Sequence, residues 1–200
     1  MWFYQEITLH PTADAPEPFL MSNVYAKLHL ALTNNRDVKG KIHCGVAFPE
    51  YSLEPKTLGR KIRVLSQNEY ALKCLNLNDA LALLAKRGYV HIIPIRAVPI
   101  ERVKQYAIYS RQQIDSSTER KARRYARRHA TDAEDVLTHF SADKNDKLPY
   151  VWFDSNSTQQ NFGLLIQKRI ASDEKDENGI KEVGSFSSYG LSKQKAVPEF

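Results

Sequence analysis

The sequence predicts an α+β protein made of two unequal parts, and three observations carry that expectation. Over positions 1–95 the apolar residues switch between a period of two and a period of 3.6, in the order strand, helix, strand, strand, helix, strand. Beyond residue 102 three further strand-like stretches, rich in aromatic and branched residues, stand apart from this first run. Between the first and second of them lies SSTERKARRYARRHA, residues 116–130, which has helical character but is cationic where an ordinary helix would be apolar.

Residues 2–10, WFYQEITLH, mix aromatic and β-branched types in imperfect alternation and read as a strand that ends at Pro11. The loop TADAPEP leads to a helix from about Phe19 to Thr33, with Leu20, Val24, Leu28 and Ala31, flanked by Met21 and Leu32, as its buried stripe. His29 falls about 110° from the centre of that stripe, on the border between core and solvent. After the polar turn NNRDVKG, residues 41–48 and 60–66 read as strands. A helix is expected over roughly 68–87, with Ala71, Leu75, Leu81 and Leu84 inward and a break near Asn76–Asn78. YVHII, 89–93, is a short strand closed by Pro94.

This order is the split βαβ, or ferredoxin-like (βαββαβ), plan, assigned to a domain over 1–95. Residues 94–102, with Pro94 and Pro99, read as a linker. A smaller C-terminal α+β domain then occupies 96–200, the linker included. It comprises a strand at 103–110, the cationic helix over about 117–130, a helix at about 132–140, and strands at 149–154 and 162–169 that pair antiparallel. SDEKDENG, 172–179, is a solvated hairpin tip.

Lysine and arginine total 29 against 23 acidic residues, a net charge of +6 that suits an anionic partner. The only cysteines, Cys44 and Cys74, have neither the number nor the spacing for a disulfide frame or a structural zinc. No cluster of Asp, Glu and His suited to a pair of catalytic metal ions is legible, so no cofactor or metal is expected. There is no signal-peptide pattern and no apolar run of about eighteen residues, which points to a cytoplasmic chain without membrane contact.

In the cationic segment, Ser116 and Glu119 form a capping box at the helix start. Arg120, Lys121, Arg123, Arg124, Arg127 and Arg128 fall within an arc of roughly 160°. Apart from Glu119, four before Arg123, and Asp132, four after Arg128, no acidic residue three or four positions away neutralises these cations, as a merely solvated face usually arranges. Such a face lies well beside a line of phosphates. By itself it permits RNA, DNA or a ribosome as partner.

Four stretches narrow the choice: MSNVYAKLHLAL around His29, SRQQ followed by RRYARRH, SNSTQQNF at 155–162, and SSYGLSK at 187–193. In order and spacing they resemble the CRISPR repeat-RNA processing endoribonucleases of subtype I-F, whose members mature guide RNAs. The resemblance implies a ferredoxin-like domain followed by one bearing an arginine-rich helix. It implies that His29 is the general base that takes the proton of the ribose 2′-OH. Ser155 would hold that hydroxyl and Tyr189 would orient the histidine. Phe162 would stack on the closing base pair, Arg111 and Gln113 would read base edges in the lower stem, and Arg120, Arg123, Arg124, Arg127 and Arg128 would line the groove phosphates. The implied partners are the CRISPR repeat stem-loop (crRNA) and the other subunits of the type I-F surveillance complex. The alternative is a subunit of that complex that binds the hairpin without cutting it. At Asp154 and Gly163 the sequence departs from the family pattern, in which a basic residue is common, and an acid beside the scissile phosphate weakens binding unless it points away.

The chemistry of these residue types agrees with the implied roles. Imidazole exchanges a proton with a hydroxyl without a metal, and such general-base help is typically worth about 10²–10⁴ in rate. Aligning the 2′-OH for in-line attack adds more. The product would be a 2′,3′-cyclic phosphate, and DNA, lacking the hydroxyl, would be bound but not cut.

Overall fold

The computed structural model describes residues 1–112, 127–128, 148–154, 161–171 and 185–200. Alternation in Phe3–Leu9 (β1) buries Gln5, Ile7 and Leu9 on one face of a sheet. β1 lies between two antiparallel neighbours, Lys61–Ser66 (β5) in the register Ile7↔Ile62 and Val90–Ile92 (β6) in the register Ile7↔Ile92. Cys44–Ala47 (β2) pairs with the far side of β5 at Val46↔Val64. The strand order is therefore β2-β5-β1-β6, antiparallel throughout.

Helix Glu17–Asn34 (α1) begins two residues before the expected Phe19. Pro16 and Pro18 flank Glu17, and their fixed φ with no amide to satisfy suits a first helical turn. The predicted stripe Leu20, Met21, Val24, Leu28, Ala31 and Leu32 is buried, joined by Tyr25. The expected helix over 68–87 is three short ones, Glu69–Leu75 (α2), Leu77–Ala80 (α3) and Ala82–Lys86 (α4). The first break falls at Asn76, whose φ of 44° is left-handed, a conformation asparagine tolerates better than most residues.

Two parts of the sequence reading need correction. Residues 94–102 are not only a linker. Arg96–Ala97 (β7) pairs with β1 at Phe3 and Tyr4, Val98 N–H donates to Trp2 O at 2.8 Å, and Ile100–Arg102 form a 3-10 turn. The prolines bound this segment without preventing a two-residue pairing between them. A small hairpin, Ser52–Leu53 (β3) with Lys56–Thr57 (β4), also lay outside the expected elements.

A second antiparallel sheet has the order β11-β8-β10-β9. It contains Gln105–Gln112 (β8), Tyr150–Asp154 (β9), Asn161–Ile170 (β10) and Val197–Glu199 (β11). The β9–β10 pairing follows the expected antiparallel arrangement, in the register Phe153↔Phe162. The edge strand β11 was not anticipated, since it is three residues long and carries Pro198, which an edge position accommodates. The expected helices at 117–130 and 132–140 and the tip at 172–179 lie outside the described residues, apart from Arg127 and Arg128, which are helical and exposed.

One hydrophobic cluster joins residues of both sheets, from Ile7 and Val64 to Tyr109, Leu164 and Val197. Close approach at Gly45 makes this junction: a Cβ there would lie 2.6 Å from the Phe186 ring and 2.8 Å from Val197 Cγ1. Gly45→Ala is therefore expected to destabilise the protein by about 1–3 kcal/mol through overpacking, read as a lower denaturant midpoint with an unchanged slope. Charge ties three strands within the second sheet, β8, β10 and β11. Lys168 and Gln105 bond the Glu199 carboxylate at 2.7 and 2.9 Å, and Tyr109 OH donates to it as well. Burial opposes ionisation of Glu199, yet these three partners hold its carboxyl below the usual glutamate range.

Candidate active site

His29 sits on α1 one turn after Tyr25, half-buried as its border position predicted. Its Nδ1 is 2.7 Å from the carbonyl oxygen of Ser188. A carbonyl only accepts, so Nδ1 carries the proton in the neutral ring and Nε2 presents a bare lone pair. The Tyr189 ring stacks on the imidazole at 4.3 Å between centroids and 13° between planes. Phe153 meets the imidazole edge-on at 5.9 Å and Tyr189 at 5.3 Å. On β10, Phe162 stacks on Phe153 at 5.6 Å and 14°. Arg111, on β8, places its guanidinium 5.4 Å from the Phe162 ring and 5.6 Å from that of Tyr189.

The loop carrying Ser188 and Tyr189 is fixed from several sides. Ser187 Oγ accepts from the amides of Tyr189 and Leu191, each at 3.3 Å, and the Gly190 amide donates to Ser187 O at 2.8 Å. Val46 N–H, on β2, donates to Gly190 O at 2.8 Å. Gly190 has a φ of +70°, and a Cβ on it would lie 2.3 Å from Val46 Cγ2, so only glycine fits this turn. Tyr25 OH donates to Tyr189 O at 2.7 Å.

Of the residues singled out in the sequence, His29, Tyr189, Phe162 and Arg111 meet in this one cluster, brought from α1, the 187–190 loop, β10 and β8. Ser155, Gln113, Arg120, Arg123 and Arg124 lie outside the described residues. Two contributors were not foreseen. Phe153 is the hub of the rings, touching His29, Tyr189, Phe162 and Tyr25. Strand alternation and the antiparallel pairing with β10 were the signals that could have put it beside Phe162. Ser188 contributes only its backbone carbonyl, which no side-chain pattern reveals. Elsewhere, His43 Nε2 lies 2.9 Å from Asp37 Oδ2, and His10 and His91 are exposed. Among the described residues no group of three or more His, Cys, Asp and Glu could hold a metal ion.

This cluster joins a tautomer-fixed imidazole, a stacked aromatic pair and a cation, on a chain whose sequence also contains the cationic stretch at 120–128. The sequence matches the family described as "CRISPR-associated protein (Cas_Csy4)" over residues 4–200. The chain belongs to that family. Two curated Cas_Csy4-like relatives, both named "CRISPR-associated endonuclease Cas6/Csy4", are similar along nearly their whole length. The protein of Pseudomonas aeruginosa (strain UCBPP-PA14) is 31% identical over 205 residues, covering 98% of each chain. That of Escherichia coli (strain UTI89 / UPEC) is 29% identical over 201 residues, again covering 98% of each. No helix among the described residues of this Cas_Csy4 family member is long and apolar enough to cross a membrane.

Proposed function

We propose that the chain is a metal-independent endoribonuclease that cleaves CRISPR precursor RNA at the 3′ base of the repeat stem-loop and stays bound to the crRNA hairpin within the type I-F interference complex. The observation that carries this reading is the Nδ1–H bond from His29 to the Ser188 carbonyl, which leaves Nε2 free to accept a proton. Family membership supplies the RNA.

In this mechanism Nε2 of His29 takes the proton of the 2′-OH upstream of the scissile phosphate. The 2′-oxygen attacks phosphorus in line, the 5′-oxygen leaves, and a 2′,3′-cyclic phosphate results. Ser155, two residues beyond Phe153 in sequence, holds the 2′-OH. Tyr189, stacked on the imidazole, keeps the ring plane fixed. Phe162, backed by Phe153, offers a platform for the closing base pair, an interaction worth about 1–3 kcal/mol for a stacked base. Arg111 and Gln113 read base edges beside that pair. Arg120, Arg123, Arg124, Arg127 and Arg128 run along the groove phosphates, where the open end of a short hairpin admits a helix that the narrow A-form groove otherwise excludes.

The same reading divides the chain into a ferredoxin-like domain over 1–95 and an RNA-hairpin-binding domain over 96–200, working in the cytoplasm beside the other subunits of the complex. The strand order β2-β5-β1-β6 with the connecting helices supports the first assignment. The decisive experiment is incubation with the chain's own CRISPR repeat RNA in excess EDTA. Full cleavage with cyclic-phosphate ends is expected. A hairpin bound but left intact with or without magnesium would make the chain a binding subunit, and cleavage lost on chelation would end the histidine mechanism.

A further inference from the structure

We infer that Tyr25 is a positioning residue for the cleavage step, its hydroxyl holding the 187–190 loop so that the proton of His29 stays on Nδ1. The inference rests on the reading of His29 as general base.

Tyr25 and His29 are four residues apart and therefore share one face of α1. Each reaches the same loop and takes one of two consecutive carbonyls, Tyr25 OH donating to Tyr189 O and His29 Nδ1–H donating to Ser188 O, both at 2.7 Å. The Tyr25 ring is 1% exposed and held between Phe48 at 5.8 Å and Phe153 at 5.7 Å. Burial, with the neighbouring Tyr189, pushes its ionisation far above the usual tyrosine range, so the hydroxyl remains a donor at any working pH. Among the described residues no other hydrogen bond reaches the Tyr189 carbonyl.

Without the Tyr25 hydroxyl, that carbonyl is left unpaired against a buried ring and the loop turns to find water. The Ser188 carbonyl belongs to the adjacent peptide and moves with it. His29 then loses the bond that selects its tautomer, and a share of the rings carries the proton on Nε2. A ring in that form cannot accept a proton at Nε2. Tyr25 thus acts through the histidine and needs no contact with RNA.

Tyr25→Phe removes only the oxygen and keeps the ring packing. Tyr51→Phe is the matched control, since Tyr51 OH likewise donates to a backbone carbonyl, Ile166 O at 3.1 Å, away from the histidine. The readouts are the single-turnover cleavage rate on the repeat hairpin, its affinity, and the ¹⁵N shifts of the His29 ring in the RNA-free protein. Tyr25→Phe is expected to slow cleavage by about tenfold, a fraction of the full general-base effect. Affinity should not change, and the His29 nitrogens should move from the Nδ1–H pattern toward a mixture. Tyr51→Phe should move neither rate nor shifts. An unchanged tautomer or an unchanged rate in Tyr25→Phe overturns the inference, as does equal slowing in Tyr51→Phe. If His29→Ala cleaves normally, it is the general-base reading that fails, and the ring shifts of RNA-free Tyr25→Phe still decide whether Tyr25 sets the tautomer.

Discussion

Replacing His29 by alanine is expected to slow cleavage of the repeat hairpin by about 10²–10⁴-fold, equivalent to roughly 3–5 kcal/mol of barrier. The loss falls on the chemical step because the imidazole is turned into the protein: its Nδ1 is committed to Ser188 O, and only Nε2 is left for the ribose. Hairpin affinity should hold, since the residues proposed to grip it, Arg111 at the base edges and the arginines of residues 120–128 along the phosphates, are untouched. Single-turnover kinetics beside an equilibrium titration separate the two. A His29→Ala rate within about threefold of the unsubstituted protein would mean that some other group takes the proton, the general-base share being at least about a hundredfold.

Substituting one 2′-deoxynucleotide at the cleavage site should abolish cutting while the hairpin is bound as before. The effect is larger than that of any side-chain change because the substitution removes the nucleophile itself, whereas losing His29 removes only its activation. Because the phosphates are unchanged, the electrostatic share of binding is unchanged too. The measurement is a gel assay of an RNA with a single deoxyribose at the scissile position, beside an all-ribose control. Cleavage of the deoxy-substituted strand would assign the attack to water and remove the 2′-OH mechanism.

Much of the fold was legible because long elements repeat their signal. The α1 stripe from Leu20 to Leu32 recurs over four turns, and its geometry alone put His29 at the rim of the core. The break at Asn76 and the pairing of β9 with β10 were legible for the same kind of local reason. The strands β7 and β11 were not, since two or three residues show no period and their pairing energy comes from partners far along the chain, Phe3 and Ala107 among them. The site divides in the same way. Candidate side chains stand out by type and spacing, but Phe153 reads as an ordinary strand residue until β10 lies beside it and α1 lies under it.

By itself the sequence determined the α+β class, the border position of the histidine and the density of positive charge over residues 120–128, because periodicity and charge are properties of neighbouring residues. Only the tertiary structure decided which nitrogen of His29 is free. That choice depends on a backbone carbonyl 159 residues away, held in place by the Tyr25 hydroxyl and a glycine turn against Val46. A hydrogen bond between distant segments exists only after the chain has closed on itself, and no local pattern encodes it.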